Sequence, residues 1–322
     1  MEPLQSETGK GPTIAVIIPC FNEEAAIERV VADFRKELPD AFIHVFDNNS
    51  TDKTVEKARV AGAIVSFERR QGKGNVVKSM FQQIDADIYI MVDGDSTYPA
   101  DRVHDLLKPV QEDRADMAVG SRLLDRSSEM KHINRIGNRL FLFVINLIFR
   151  RVGPYGRRCK LTDILSGYRV MTREFVRSIP ILSQGFQIET EFTIQALHHN
   201  MRIIEVPVKL RHRPPGGESK INLLSDGLRI LFTIFDLFRT YKPLTVFGGA
   251  GLIMILLGWV IGLPVIFEYL QTGLVPRLPS AVLATGLEMT GLLSVSVGLI
   301  LNTLARNFRE LTYQILNLDR RL

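Results

Sequence analysis

The 322-residue sequence contains only two cysteines, Cys20 and Cys159, and a single tryptophan, Trp259. Two cysteines without paired spacing argue against a disulfide framework or a cysteine-rich zinc site and fit a reducing compartment. The first twelve residues, MEPLQSETGKGP, hold no apolar run, so the sequence predicts a disordered tail over 1–12 and no signal peptide. No G-x-x-x-x-G-K-[ST] occurs, which disfavours a nucleoside triphosphatase. The nearest stretch, GKGNVV at 72–77, is too short and lacks the Ser or Thr. A dinucleotide fold is disfavoured because G-x-G-x-x-G is absent after the first strand. Charge is missing altogether from 243–267, and 278–305 carries only Glu288. Each run is long enough to cross a bilayer core, which takes about 20 helical residues.

Charge that is present is unevenly placed. Hydrophobic residues make up 46%, charged residues 23%, and the net charge is +5. Residues 121–160 alone hold ten Lys or Arg against Asp125 and Glu129, a larger excess than the whole chain carries. A solvated surface is the plain reading of that cluster. A site for phosphate or anionic lipid is the other.

Residues 13–122 alternate strand-like and helix-like patterns. Apolar strands are expected at 13–19, 42–48, 63–68, 88–94 and 117–121, with helices at 22–38, 51–61, 73–84 and 100–113. Ser50 or Thr51 is the expected N-cap of the second helix. Apolar strands separated by helices predict a mainly parallel, doubly wound α/β sheet covered on both faces. Ligands of such sheets bind beyond the carboxyl ends of the strands. That places PCFNEE (19–24), DNNSTD (47–52) and DGDS (93–96) along one edge.

Beyond residue 122 the pattern changes. NRLFLFVINLIFRRVG (138–153) has too few uninterrupted apolar positions to span, and reads as a helix in the membrane interface or a buried core helix. In 221–243, Asp226, Arg229, Asp236 and Arg239 recur at helical spacing among Leu, Ile and Phe, which predicts an amphipathic helix with i,i+3 ion pairs. Basic residues flank the two apolar runs: Arg239 and Lys242 before, then Arg306, Arg309, Arg320 and Arg321 after. The positive-inside tendency therefore puts both termini and the large domain in the cytosol. Glu288 is a functional candidate, a pairing group within a homo-oligomer (dimer or tetramer), or a residue near one interface.

The acids closing the fourth strand carry the chemistry. Side chains at i and i+2 of an extended segment point the same way, so Asp93 and Asp95 can converge on one cation, or one can bind it directly and the other through water. Hard oxygen ligands suit Mg²⁺ or Mn²⁺, which also bind substrate phosphates. Gly94 between them allows close backbone approach.

The series VIIPCFNEE, DNNSTDKT, GKGNVV, MVDGDSTYP, GSR, DILSGYR and EVPVKLRHRPPGGESK resembles the inverting, GT-A-fold family 2 glycosyltransferases. Its order and the two C-terminal spans are similar to the polyisoprenyl-phosphate group, which includes dolichol-phosphate mannose synthases and bacterial undecaprenyl-phosphate sugar transferases. The resemblance covers roughly residues 13–305. It implies a nucleotide-sugar donor, a polyprenyl-phosphate acceptor, membrane lipids as surroundings and no nucleic acid partner. Pro19, Asn22 and Glu23 stand where the family holds the nucleoside, and Asp47 matches the first acid after strand two. Asn48 replaces the second acid and Asn49 the glycine, so uridine and guanosine both remain open. Lys73 lies in the glycine-lysine turn near the nucleotide, and Asp93, Gly94 and Asp95 match the metal motif. Asp163 matches the acid near the reacting centre. Arg213 and Lys220 match the basic loop over the donor phosphates. Arg122, Arg135 and Ser166 are assigned to the acceptor phosphate.

The division implied is a tail at 1–12, a GT-A catalytic domain at 13–220 with interfacial helices about 132–152, a juxtamembrane helix at 221–242, two spans within 243–305, and a cytosolic tail at 306–322. The expected reaction moves a sugar, UDP-hexose favoured and GDP-mannose second, to a lipid monophosphate with inversion. That acceptor is largely ionised at neutral pH, its second pKa being about 6, so Asp163 orients groups rather than abstracting a proton. A processive polysaccharide synthase is the alternative within the same fold, but its Q-x-x-R-W motif is missing. A non-catalytic nucleotide-sugar-binding membrane protein is the alternative outside it.

Overall fold

In the computed structural model the structure describes residues 11–124, 161–213 without 182, 184 and 186, positions 232, 235, 236 and 239, and 242–319, with 308–319 by backbone alone. The chain forms two compact units, Met1–Thr233 and Ile234–Leu322.

The first unit is built on seven strands: β1 (Ile14–Cys20), β2 (Phe42–Asp47), β3 (Ile64–Phe67), β4 (Ile88–Met91), β5 (Met117–Ser121), β6 (Arg169–Thr172) and β7 (Ile203–Pro207). Their order is β3-β2-β1-β4-β6-β5-β7. The first four run parallel, β6 is antiparallel to both β4 and β5, and β5 and β7 are parallel. Among the described residues of this unit the α-helices are α1 (Ile27–Glu37), α2 (Thr54–Val60), α3 (Lys73–Gln83), α4 (Val103–Gln111), α5 (Arg173–Ser178) and α6 (Ile188–His198).

Successive residues of β1 enter opposite cores, as the two-residue strand period requires. Val16 and Ile18 pack with Ile27, Val31 and Phe34 of α1, whereas Ala15 and Ile17 pack with Val76 and Met80 of α3 and Phe192 of α6. Each such side chain contributes about 1.5–3 kcal/mol through burial. Helix α1 presents Ile27, Val30, Val31 and Phe34 on one face and stops at Leu38, the residue before Pro39.

The mainly parallel sheet expected from the sequence is present, with two strands the pattern did not foresee, β6 and β7. β6 lies between β4 and β5. Its four residues are too few to display a period. Its return direction carries segment 161–168 past the carboxyl end of β4, where the site is built.

The second unit is a hairpin of α7 (Pro243–Thr272) and α8 (Leu278–Asp319). Both contain 30-residue stretches long and apolar enough to cross a membrane. Small residues recur at intervals of seven along the seam, Gly251 and Gly258 on α7 and Ala284, Gly291 and Gly298 on α8. A Cβ on Gly251 would meet the Gly291 carbonyl at 2.6 Å. Ser294 Oγ donates to the Phe247 carbonyl across the seam at 2.8 Å, and Glu288 tucks its carboxyl against Gly258. The segment expected as a C-terminal tail continues α8 as far as Asp319. The anticipated i,i+3 pair forms, with Arg239 donating to Asp236 at 2.7 Å. Asp226, Arg229 and the segment 138–153 lie outside the described residues.

Candidate active site

The loops after β1 and β2 are stitched together at the sheet edge. Asn22 N–H donates to Ser50 Oγ at 2.9 Å, Thr51 N–H to Asn22 Oδ1 at 2.8 Å, and Glu23 N–H to Thr54 Oγ1 at 2.8 Å. Ser50 is therefore spent on this stitch and does not cap α2, whose N-cap is Lys53 without a side-chain bond. Asn22, Asn49 and Ser96 all adopt left-handed backbone, at φ 52°, 65° and 61°. Such strain costs about 1–3 kcal/mol per residue and concentrates at binding sites.

Asp47 is buried and accepts from Ser50 N–H at 3.1 Å through Oδ2, while its Oδ1 has no hydrogen-bond partner among the described residues. Asn48, expected to touch the nucleotide, is turned elsewhere. Its amide donates to the carbonyls of Glu68 (2.8 Å) and Arg70 (2.9 Å) and accepts from Gly72 N–H (2.7 Å). A carboxylate could not make the two donations. Asn49 repeats the pattern, donating to the Arg69 carbonyl at 2.9 Å. The two asparagines thus fix the 68–72 turn that opens α3 at Lys73. Pro19 sits at the end of β1 in register with Phe46.

Beyond β4, Asp93 and Asp95 each face a cation. Lys73 Nζ donates to Asp93 Oδ1 and also to Glu189 Oε1 of α6. Burial alone would discharge this ammonium, but Asp93 and Glu189 outweigh burial and hold its pKa above the ordinary lysine value. Asp95 accepts from Arg213 Nε at 3.0 Å through Oδ2 and from Thr97 N–H at 3.0 Å through Oδ1. The backbone is pressed close on both sides. A Cβ on Gly94 would lie 2.7 Å from Cys20 Sγ, and one on Gly167 would lie 2.3 Å from Asp93 Oδ2.

Asp163 and Arg122, given separate roles in the sequence reading, form one buried unit. Arg122 donates through Nε (2.7 Å) to Oδ2 and through Nη2 (2.8 Å) to Oδ1, and its backbone N–H adds a third bond at 3.0 Å. Burial pushes the Asp163 carboxyl up, but Arg122 outweighs it and leaves the pKa below the ordinary carboxylate value. Glu205 of β7 accepts from Asp163 N–H at 2.8 Å. Ser166, assigned to an acceptor phosphate, is fully buried and gives its hydroxyl proton to the Gly120 carbonyl at 2.6 Å, which leaves it shut off from a ligand. Arg169, also fully buried, clasps the loop by donating to the carbonyls of Ser166 (3.0 Å), Ile164 (2.9 Å) and Glu189 (2.8 Å).

The structure thus pairs Lys73 with Asp93, Arg213 with Asp95 and Arg122 with Asp163. Arg135 and Lys220 lie outside the described residues. Sequence reasoning passed over Glu189, Glu205 and Arg169. A signal existed for Glu189: α6 is buried on nearly every face, and an acid in such a helix needs a partner.

A small divalent cation fits the carboxylate pair. Among the described residues no three His, Cys, Asp or Glu converge, but Mg²⁺ and Mn²⁺ typically take one or two protein carboxylates and complete their shell with phosphate and water. Asp93 Oδ2 sits beside Gly167 and, among the described residues, accepts no hydrogen bond; the Lys73 bond falls on Oδ1.

Comparison with known proteins gives consistent results. Residues 15–179 match the model described as glycosyl transferase family 2. Glycosyltransferase AglJ of Haloferax volcanii is 34% identical over 80% of this chain and 82% of its own length. The undecaprenyl-phosphate mannosyltransferase of Micrococcus luteus is 25% identical over 67% of this chain and 94% of its own. The dolichyl-phosphate hexose transferase of Haloferax volcanii is 28% identical, covering 67% and 90%. Among solved structures, glucosyl-3-phosphoglycerate synthase from Mycobacterium tuberculosis in complex with Mn²⁺ and UDP-glucose superposes with a TM-score of 0.58 at 23% identity, over 70% of this chain and 79% of that one.

Proposed function

Because the chain belongs to glycosyl transferase family 2, we propose that it moves a hexose from a nucleoside diphosphate sugar onto a polyprenyl phosphate, with inversion, at the cytosolic face of a membrane. The observation that carries this reading is a family 2 site followed, on the same chain, by two helices long and apolar enough to cross a bilayer. Relatives named for dolichyl- and undecaprenyl-phosphate substrates support the acceptor class. UDP-hexose is the favoured donor and GDP-mannose the second. Asp47, whose buried Oδ1 has no partner among the described residues, is the acid we assign to a ring N–H of either base. We assign residues 13–220 to catalysis, 221–242 to the bilayer surface and 243–305 to the spans, with both termini cytosolic.

The chemistry asks for charge compensation rather than proton abstraction. A lipid monophosphate is already ionised, its second pKa being about 6. Asp163 is saturated by Arg122 and its role is to orient that guanidinium. Arg122 keeps Nη1 for the acceptor phosphate, with Arg135 as its expected companion. On the opposite side of the anomeric carbon the nucleoside diphosphate departs. Lys73, Arg213 and Lys220 would balance the charge it gathers. A divalent cation on Asp93 and Asp95 supplies further neutralisation of that leaving group when bound.

The test is incubation of membranes holding the protein with a panel of labelled nucleotide-sugars and undecaprenyl phosphate. Label entering the organic phase, at the mass of a hexosyl lipid monophosphate, is the expected result. Label recovered only in polymer, or no transfer from any donor, would overturn the reading.

A further inference from the structure

Lys73 is a buried ammonium with two carboxylates around it, Asp93 and Glu189, its side chain only 9% exposed and that of Glu189 only 6%. One counter-charge would suffice to neutralise it. We propose that Glu189 is the positioning residue that retains Lys73 when Asp93 passes from the lysine to a divalent cation, so that Lys73 and Glu189 together form a latch on the metal carboxylate. The proposal rests on the reading of Asp93 and Asp95 as the cation-holding pair.

The reason lies in the charges. Without Glu189, a cation that took Asp93 would strand Lys73 in a buried position with no partner, and uncompensated buried charges are strongly destabilising. Lys73 would then hold Asp93 and exclude the metal. With Glu189 present, Lys73 keeps a carboxylate whichever cation Asp93 faces. Its second acid therefore lowers the barrier to releasing the first.

Glu189 is well fixed for this task. It stands in the first turn of α6, whose N-terminal end favours a negative charge. Its backbone carbonyl accepts from Arg169 Nη2 at 2.8 Å and from Thr193 Oγ1 at 3.1 Å. Arg169 also grips the carbonyls of Ile164 and Ser166, in the loop whose Gly167 abuts Asp93. One guanidinium thus ties the latch and the carboxylate it acts on to the same loop. Asp93 itself is the most open of the three, its side chain 31% exposed.

The experiment measures Mn²⁺ alone, without nucleotide, binding to the full-length protein in detergent by electron paramagnetic resonance. Lys73→Met should tighten Mn²⁺ by about tenfold, because a competing positive charge in a half-buried site is gone. Glu189→Gln should weaken it several-fold, because Lys73 then has only Asp93. The double variant should match Lys73→Met, since Glu189 acts through the lysine alone and the two changes share one contact. A Glu189→Gln effect that persists undiminished in the Lys73→Met background would overturn the latch, as would weaker or unchanged binding in Lys73→Met. If Glu189→Gln does not fold, Glu189→Asp, which keeps the charge but shortens its reach to Lys73, takes its place: weaker Mn²⁺ binding than wild type is expected, and unchanged binding overturns the latch. Asp93→Asn separates the two levels: unchanged Mn²⁺ binding there sinks the metal reading itself, whereas its loss combined with weaker binding in Lys73→Met sinks only the latch.

Discussion

In the sheet unit the largest side chains point inward: Phe34, Tyr89, Tyr168, Phe175 and Phe192 are fully buried. In the hairpin the large side chains point outward, with Leu252, Trp259, Phe267 and Leu292 more than half exposed, and the seam is left to glycine and alanine. The inversion fits the surroundings proposed for the two units, water for the sheet and a bilayer for the hairpin. Against water, apolar volume drives association and belongs in the core. Against hydrocarbon it gains nothing by hiding, and close backbone approach at small residues holds helices together instead. Polar chemistry is distributed accordingly. The sheet unit concentrates buried acids and cations at one edge, while the α7–α8 seam holds the single carboxyl of Glu288.

That contrast can be broken most severely at the carboxylates. Asp93→Ala should lower turnover by about 10³-fold or more, the scale expected when a group that stabilises developing charge is removed. Its melting temperature should stay near wild type, and chelation should abolish wild-type transfer to the same degree. Near-normal activity under chelation would remove the metal from the account. Next comes Gly167→Ala, which forces a methyl to within 2.3 Å of Asp93 Oδ2. A displacement of about 1 Å costs about 10²-fold in rate, and the loss should fall on turnover with little change in stability.

The hairpin should answer differently. Gly291→Val overpacks the seam against Ile255 and the Gly251 carbonyl and should destabilise it by about 1–3 kcal/mol in detergent. Leu292→Ala, one residue away on the outer face, should change stability by about 0.5 kcal/mol or less. Equal effects at 291 and 292 would erase the distinction between seam and surface.

A further effect concerns acid. The Arg70 side chain, then Ser79, hold Glu68 down to about 2, below its ordinary value of 4.5. A depressed carboxyl stabilises the fold above its unfolded pKa, and that stability is lost as pH falls from about 4.5 through about 2. Glu68→Gln should cost about 1–2 kcal/mol at neutral pH and flatten the acid limb of a stability-against-pH curve.

Much of the sheet edge was legible because the local pattern is strong there. Three apolar strands followed by polar clusters placed Asp47, Asp93 and Asp95 along one edge; the structure ends β2 at Asp47 and puts Asp93 and Asp95 just beyond the end of β4. What escaped depends on distant partners. The β6 strand is defined by pairing with β4 and β5, not by its four residues. Asn48 looked like a departure from a binding motif, and its three bonds to a turn 20 to 24 residues away were invisible. Arg122 and Asp163 each looked like separate site residues because 41 positions divide them.

The contact between Gly94 and Cys20 binds two positions 74 residues apart into one heritable choice. Only the sulfur stands within 2.7 Å of where a methyl at 94 would go; the next atoms are 3.5 Å and 3.6 Å away. Gly94→Ala should therefore inactivate the enzyme alone yet be rescued in combination with Cys20→Ala. A suppressor screen started from the inactive allele should return substitutions at codon 20 before any in the metal motif itself.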